Sequence, residues 1–388
     1  MRVVQIAPEI APGSGVGGVA HHLERGLSAL GVDVTRFTLA DARGGWLPEP
    51  GPGLRGKLAL LARVVWFSTV GTILAKRALR SAPDAVSICH NDVLAGDVYV
   101  NHGILRVAMK ARGSYAFRML RNPLHLFTSA RDAIRYGSRT HRVVVSLTSS
   151  EAELLAGVYP RLKAESVVIS NGVDVQRFTP PTASERAAAR RDVLPASVPA
   201  DARCLLFVGH EYDRKGLPLI IEALCDLPAH VHLLVVGGTA EMVVGASGLA
   251  AGLGVSSRVH LAGRMPDPLP AYHAADCFVL PSAYEANALV ILEAFACGLP
   301  VIATPVGYAP DVVENGGNGF IVERTATSVR DGINAYLAAE PALLSAAARA
   351  SAEAHAWPTI AERYLQLLQR LAKDSPVSPP TNQSTRTP

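Results

Sequence analysis

Two carboxylates eight residues apart, Glu285 and Glu293, stand in the stretch 281–300, Pro-Ser-Ala-Tyr-Glu-Ala-Asn-Ala-Leu-Val-Ile-Leu-Glu-Ala-Phe-Ala-Cys-Gly-Leu-Pro. A carboxylate accepts from two neighbouring hydroxyls at once, so such a pair suits either general acid–base work or a grip on diols. An apolar strand over 277–280 precedes the stretch, and Gly298, Pro300 and a second strand over 301–304 close it. The intervening piece must therefore be a loop and a short helix starting near Asn287 or Ala288. Glu285 then rides on the loop, and Glu293 lies about a turn and a half into the helix. Leu289, Val290, Ile291, Leu292, Phe295 and Cys297 make that helix apolar nearly all round. An acid buried among them calls for a ligand or a partner.

The elements that position this pair recur along the chain. With 388 residues, 49% hydrophobic and 18% charged, the protein is a globular chain too long for one ordinary core. Apolar strands over 3–7, 32–39, 85–89, 97–100, 143–147 and 167–170 alternate with helical patterns, as over 20–30 and 150–156. A second series follows, with strands over 204–209, 232–237, 259–262, 277–280 and 301–304. Between them lie helices over 183–202, 217–224, 240–253 and 269–274, and a last helix over 360–371 follows Pro358. Such alternation predicts α/β domains with parallel sheets, whose ligands bind at the carboxyl ends of the strands. The run from 373 to 388, rich in Pro, Ser and Thr, reads as a disordered tail.

Several function classes drop out. The five cysteines are scattered with no Cys-x-x-Cys pair, which argues for reduced structural thiols and against a structural zinc site. The opening residues run straight into an apolar strand, so no signal peptide is expected. The longest apolar run, 64–75, is about a dozen residues against the roughly 20 needed to span a bilayer. It reads as a core or interfacial helix.

Charge divides the chain unevenly. Residues 1–170 hold 21 Lys and Arg against 12 Asp and Glu, a balance of +9, while the remainder stands at −5. The excess sits on two helical segments. One carries Arg55, Lys57, Arg63, Lys76, Arg77 and Arg80; the other carries Arg106, Lys110, Arg112, Arg118, Arg121, Arg131, Arg135, Arg139 and Arg142. Interleaved apolar residues such as Phe117, Leu120 and Leu126 leave two readings, solvated helix faces or docking on anionic headgroups. No nucleic-acid module is visible, and nucleic acid is not an expected partner.

The first glycine-rich loop, 13–18, contains Gly13, Gly15 and Gly18 at dinucleotide-fingerprint spacing, with Asp41 after the second strand. Its first glycine comes six residues past the strand, beyond Pro8 and Pro12, where the fingerprint needs it at the strand end. A dinucleotide-dependent oxidoreductase is thus an alternative rather than the main expectation. A loop that approaches phosphate or sugar fits better.

Three segments taken together carry a resemblance: Val-Gly-His-Glu-Tyr-Asp-Arg-Lys-Gly at 208–216, Val-Val-Gly-Gly at 235–238, and the Glu285/Glu293 pair continued by Ala-Phe-Ala-Cys-Gly-Leu-Pro-Val-Ile-Ala and Gly307. Over residues 3–371 the chain resembles the retaining GT-B glycosyltransferases called group 1 or family four. The resemblance implies two doubly wound Rossmann-like domains facing a cleft. Residues 1–175 would form the acceptor-side domain and 176–355 the nucleotide-sugar domain, with a helix over 356–372 crossing back onto the first.

It also implies roles. Lys215, with Arg214 beside it, would hold the donor diphosphate, while Glu285 would hold sugar hydroxyls and Glu293 the ribose. Asn287, Ala288 and Leu289 would turn backbone amides toward phosphate and sugar. Gly17, Gly18, Gly209, Gly237 and Arg264 would complete the donor site, and His102 would stand near the reacting sugar carbon. Where the family has Arg, this chain has His210. The expected activity is metal-independent, cofactor-free transfer of a sugar, with retention, from a nucleotide-sugar to a glycan or lipid-linked acceptor in envelope or exopolysaccharide synthesis. A GT-B epimerase or phosphorylase would keep the site and change the reaction. The expected location is cytoplasmic, with the inner membrane face as the surface on which the basic helices would dock.

Overall fold

The computed structural model describes residues 1–13 and 15–374. The tail expected over 373–388 therefore lies outside the described residues, except that Lys373 ends the last helix and Asp374 follows it.

Twelve strands form two six-stranded sheets. The first contains β1 (Arg2–Ile6), β2 (Asp33–Phe37), β3 (Ala85–His90), β4 (Val98–Asn101), β5 (Val143–Ser146) and β6 (Glu165–Val168), ordered β2-β1-β3-β4-β5-β6. The second contains β7 (Arg203–Val208), β8 (Val231–Val236), β9 (Val259–Gly263), β10 (Cys277–Leu280), β11 (Val301–Ala303) and β12 (Gly319–Ile321), ordered β12-β11-β10-β7-β8-β9. All pairings are parallel. The inner strands are apolar along their length because helices cover both faces; β8 is buried throughout.

Strand order decides where a ligand can enter. In the second sheet the chain runs outward from β7 through β8 to β9, then returns to pair β10 on the other side of β7. The loops after β7 and β10 consequently diverge and leave a crevice at the carboxyl edge. The first sheet has the same switch at β1, where Ile6 lies level with Phe37 on one side and Cys89 on the other.

The chain passes from one sheet to the other beside itself. Val173 donates its N–H to the His355 carbonyl and its own carbonyl accepts from the Trp357 N–H, so the outgoing and returning segments run in parallel. The last helix, Trp357–Lys373, then buries Ile360, Ala361, Tyr364, Leu367, Leu368 and Leu371 in the core of the first domain. Gly26 of the helix Val16–Ala29 permits this approach, since a Cβ there would lie 2.6 Å from the Ala361 methyl. Arg370 closes the helix with a bidentate pair to Glu165, at 2.8 and 2.9 Å.

Four expectations need correction. The apolar run at 64–75 belongs to one continuous helix, Gly53–Arg80, whose apolar window has a mean hydropathy of 1.8 and is long and apolar enough to cross a bilayer by length and composition. Scattered cations such as Arg63 break the run in sequence but not in the helix. The helix expected over 183–202 stops at Val193, because Pro195 disfavours helical backbone at Leu194. The edge strand β6 forms two residues earlier than expected, at Glu165–Val168. Finally, Arg131 and Arg135 do not lie on a basic surface. Both are buried, Arg131 against Asp92 and Asp132, and Arg135 over the Tyr99 ring at 3.7 Å.

Among the elements with no counterpart in the sequence pattern are β12 and the helices Ala326–Ala338 and Pro341–Glu353. A three-residue strand is too short to show a period.

Candidate functional site

A cleft of about 810 Å³ opens between the carboxyl edges of the two sheets. From the first domain it is lined by Gly13, Gly15, Gly18 and His22, and from the crossing segments by Asp174, Arg177 and Trp357. The second domain contributes Gly209, His210, Arg214, Lys215, Gly237, Arg264, Leu289 and Glu293. Nine of the expected donor-site residues therefore share one cavity. Gly17, His102, Glu285, Asn287 and Ala288 do not line it and connect to it through neighbours.

Lys215 is placed by a tight turn after β7. Glu211 adopts a left-handed φ of 56°, residues Tyr212–Lys215 make one helical turn, and Gly216 closes it at φ 80°. The Lys215 stem crosses directly over Gly209, where a Cβ would lie 2.3 Å from Lys215 Cδ. Gly209 is thus required by the lysine that passes over it.

The Lys215 ammonium donates to Glu285 Oε1 at 2.7 Å, and Ser282 Oγ donates to the same oxygen at 2.8 Å. Arg214 Nη1 stands 3.4 Å from that oxygen, donates to the Tyr284 carbonyl, and through Nε binds Glu211 at 3.0 Å. Lys215 and Glu285, expected to hold the diphosphate and the sugar of a donor, thus meet as an ion pair with only 12% and 9% of their side chains exposed. Gly307 holds the Glu285 loop from behind, since a Cβ there would meet Glu285 Cβ at 2.7 Å. Glu285 also lines a neighbouring pocket of about 500 Å³ with Glu151, Tyr284, Ala286 and Gly307. Burial pushes the Glu151 carboxyl up to about 8, against the Leu147 N–H that donates to it.

Glu293 sits on the helix Leu289–Ala296, half-buried on the cleft wall. Burial raises its carboxyl above the usual range, and the Tyr272 hydroxyl, donating at 2.8 Å, opposes that rise. The helix starts at Leu289, just past the expected start near Asn287 or Ala288, with Ala288 as its cap and the Asn287 Oδ1 buried without a partner. Tyr272 carried no sequence signal, because an aromatic in a short apolar helix is ordinarily core. Arg177, paired with Asp267 at 2.9 Å on the cleft rim, was equally silent.

His210 has a defined setting. Its Nδ1 accepts the Gly238 N–H at 3.1 Å, so its proton is on Nε2 and the ring is fixed beside Gly237. His102 follows β4. Its Nε2 lies 3.1 Å from Nδ1 of the buried His90, and a Cβ added at Gly103 would lie 3.4 Å from the Ala286 methyl across the domain boundary. Gly17 and Gly18 form the first turn of the helix Val16–Ala29; Gly18 is needed because a Cβ would collide with the Gly13 carbonyl at 1.9 Å.

Comparison with known proteins bears on the class of this site. Residues 195–355 match the family model for glycosyl transferases group 1. The second domain is thus similar to the group 1 glycosyltransferases. The match spans the elements from β7 to β12, which include the segments that carry Lys215, Glu285 and Glu293. The chain is 38% identical over 228 residues to a D-inositol 3-phosphate glycosyltransferase of Geodermatophilus obscurus, covering 55% of this chain and 49% of that one. It is 34% identical over 243 residues to the protein of the same name in Xylanimonas cellulosilytica, with 60% and 58% covered. The chain thus spans about half the length of the curated relatives it matches.

Among solved structures, a sucrose-phosphate synthase from Thermosynechococcus elongatus superposes with a TM-score of 0.71 at 21% identity, covering 95% of this chain and 98% of that one. Anabaena Alr3699/HepE, solved with UDP and glucose, gives 0.64 at 20% identity, covering 95% and 99%. The fold is GT-B. The dinucleotide-oxidoreductase alternative is not favoured: the group 1 match lies on the second domain, and Gly13, the first of the three glycines, comes seven residues after β1 ends at Ile6.

Proposed function

We propose that the protein is a retaining glycosyltransferase that moves a sugar from a nucleotide-sugar donor to a glycan or lipid-linked acceptor without a metal ion. The observation that carries this reading is the Lys215–Glu285 pair at the switch point between β7 and β10, inside a group 1 domain. A departing nucleoside diphosphate gains negative charge, and cations fixed in a low-dielectric cleft stabilise it. Lys215, Arg214, Arg264 and Arg177 supply that charge, which is why no metal is invoked.

On this reading the donor diphosphate draws Lys215 and Arg214 away from Glu285, freeing its carboxylate for sugar hydroxyls. Glu293, held by Tyr272, takes the ribose diol. His210 presents an Nε2–H where an Arg would present a full charge. The diphosphate itself takes the acceptor's proton as the new bond forms on the face it leaves. The UDP and glucose bound by the Anabaena protein make a uridine donor the first to test.

Thermal shift against UDP-, GDP- and ADP-sugars tests the reading, since a ligand bound only to the folded state raises its melting point. Stabilisation by one nucleotide series supports it; no response to any of them removes it. A phosphorylated cyclitol acceptor is the second reading, favoured by the names of the Geodermatophilus and Xylanimonas relatives. Product analysis with inositol phosphates separates the two.

We also propose a cytoplasmic location with docking on the inner membrane face. Phe117 and Leu120, 61% and 72% exposed, stand beside Arg118 and Arg121 on one short helix, and Leu54, Leu58 and Ile73 are exposed on the helix Gly53–Arg80. Co-sedimentation with anionic vesicles at low salt tests this, and absence of binding there ends it.

A further inference from the structure

His90 is a buried, titratable group that the proposed chemistry leaves unused. It ends β3, is fully enclosed, and stacks against His102 with ring centroids 5.4 Å apart. Its Nδ1 lies 3.1 Å from His102 Nε2, close enough for one hydrogen bond. Its other nitrogen, Nε2, is buried with no partner.

Burial depresses both rings: His102 falls to about 4, and His90 lies well below its ordinary value through burial and the neighbouring His102. At neutral pH each ring therefore carries a single proton, and two arrangements remain. In one, His102 donates from Nε2 and His90 must keep its proton on Nε2, a buried N–H facing no acceptor. In the other, His90 donates from Nδ1 and leaves only a bare lone pair buried. Orphaned buried N–H groups are rare, whereas unsatisfied acceptors are better tolerated. The second arrangement wins.

We propose that His90 is a positioning residue that donates from Nδ1 into His102 Nε2, so that His102 carries its proton on Nδ1 and presents a hydrogen-bond donor rather than a base. The backbone supports a fixed ring. Gly103 holds a φ of 138° and donates its N–H to the buried Asn101 Oδ1 at 3.3 Å, and Asn101 is itself bonded by the Tyr136 hydroxyl. His102 is only partly buried and its Nδ1 makes no hydrogen bond among the described residues, which leaves that atom as the one to meet a substrate oxygen. The role depends on the glycosyltransferase reading only in assigning that oxygen to a donor or acceptor sugar. A donor at this point fixes a hydroxyl and leaves proton removal to the leaving phosphate.

The test is a long-range ¹H–¹⁵N spectrum of the full chain labelled in histidine, with His102→Gln and His90→Leu for assignment. The expected result is a protonated Nδ1 and an unprotonated Nε2 on His102. In His90→Leu, His102 should revert to the mixture of a free imidazole, while His90→Asn, whose amide N–H stands in for Nδ1–H, should hold it. A wild-type His102 protonated on Nε2 overturns the proposal, as does an unchanged tautomer in His90→Leu. With a donor in hand, kcat should fall in His90→Leu with KM unchanged, by about the 10- to 100-fold seen when metal-bound histidines lose their outer partners, and recover in His90→Asn. Equal losses in both variants overturn the positioning role. The spectrum needs no substrate, so a protein that binds no nucleotide-sugar would sink the function reading while the tautomer stays measurable.

Discussion

Replacing Lys215 by Met separates the charge of this residue from its shape. The methionine stem still fills the space over Gly209, where the lysine Cδ now sits, but the ammonium 2.7 Å from Glu285 Oε1 is gone. Removing one partner of a buried ion pair costs about 3–5 kcal/mol when nothing replaces it. Here Ser282 Oγ at 2.8 Å and Arg214 Nη1 at 3.4 Å remain on the same oxygen, so we expect a loss nearer 1–3 kcal/mol. For a domain of this size that is a fall in Tm of roughly 2–12 °C. Donor binding should suffer separately. A charge-assisted hydrogen bond to the diphosphate is worth about 1.5–3 kcal/mol, hence a rise of about 10- to 150-fold in the Kd for the nucleoside diphosphate. Calorimetric titration of wild type, Lys215→Met, Glu285→Gln and the double variant reads both effects. The double variant should regain part of the lost stability and none of the affinity. An unchanged Kd in Lys215→Met refutes the diphosphate role, and strictly additive melting shifts refute the coupling to Glu285.

Glu293 should make nucleotide binding pH-dependent. Burial holds its folded pKa above the ordinary carboxyl value, so the protonated form, which has lost acceptor capacity, persists to higher pH than usual. Affinity for the free nucleoside should therefore fall as pH drops toward that raised value, more steeply in Tyr272→Phe, which removes the hydroxyl bonded to the carboxylate, and should flatten in Glu293→Gln. The stability linkage has the opposite sense: the raised folded pKa gives Glu293 its favourable contribution below about pH 4.5, and this is lost as pH rises through the folded value. Identical binding profiles for wild type and Glu293→Gln would exclude the ribose role. In the last helix, Leu368→Ala should cost about 2–5 kcal/mol by urea denaturation, because the fully buried side chain completes the first-domain core. A cost under about 0.5 kcal/mol would show that the helix is not part of that core.

The sequence by itself determined the α/β class, the alternation of strands and helices, and the motifs that flank the cleft. Inner strands such as Val143–Ser146 and Val231–Val236 are apolar on both faces, and that pattern survives without any knowledge of partners. The Glu285/Glu293 spacing was legible because it is local. Tertiary structure alone decided what each group faces. Lys215 and Glu285 are 70 residues apart and meet only because β7 and β10 pair across the switch point; Tyr272 reaches Glu293 from another helix; His90 reaches His102 because β3 and β4 run side by side. The same limit misplaced Arg131 and Arg135, which read as basic surface until Asp92 and Tyr99 were brought to them. Periodicity reports which face of an element is apolar. Which charge sits opposite another depends on strand order, and that is a property of the assembled sheets.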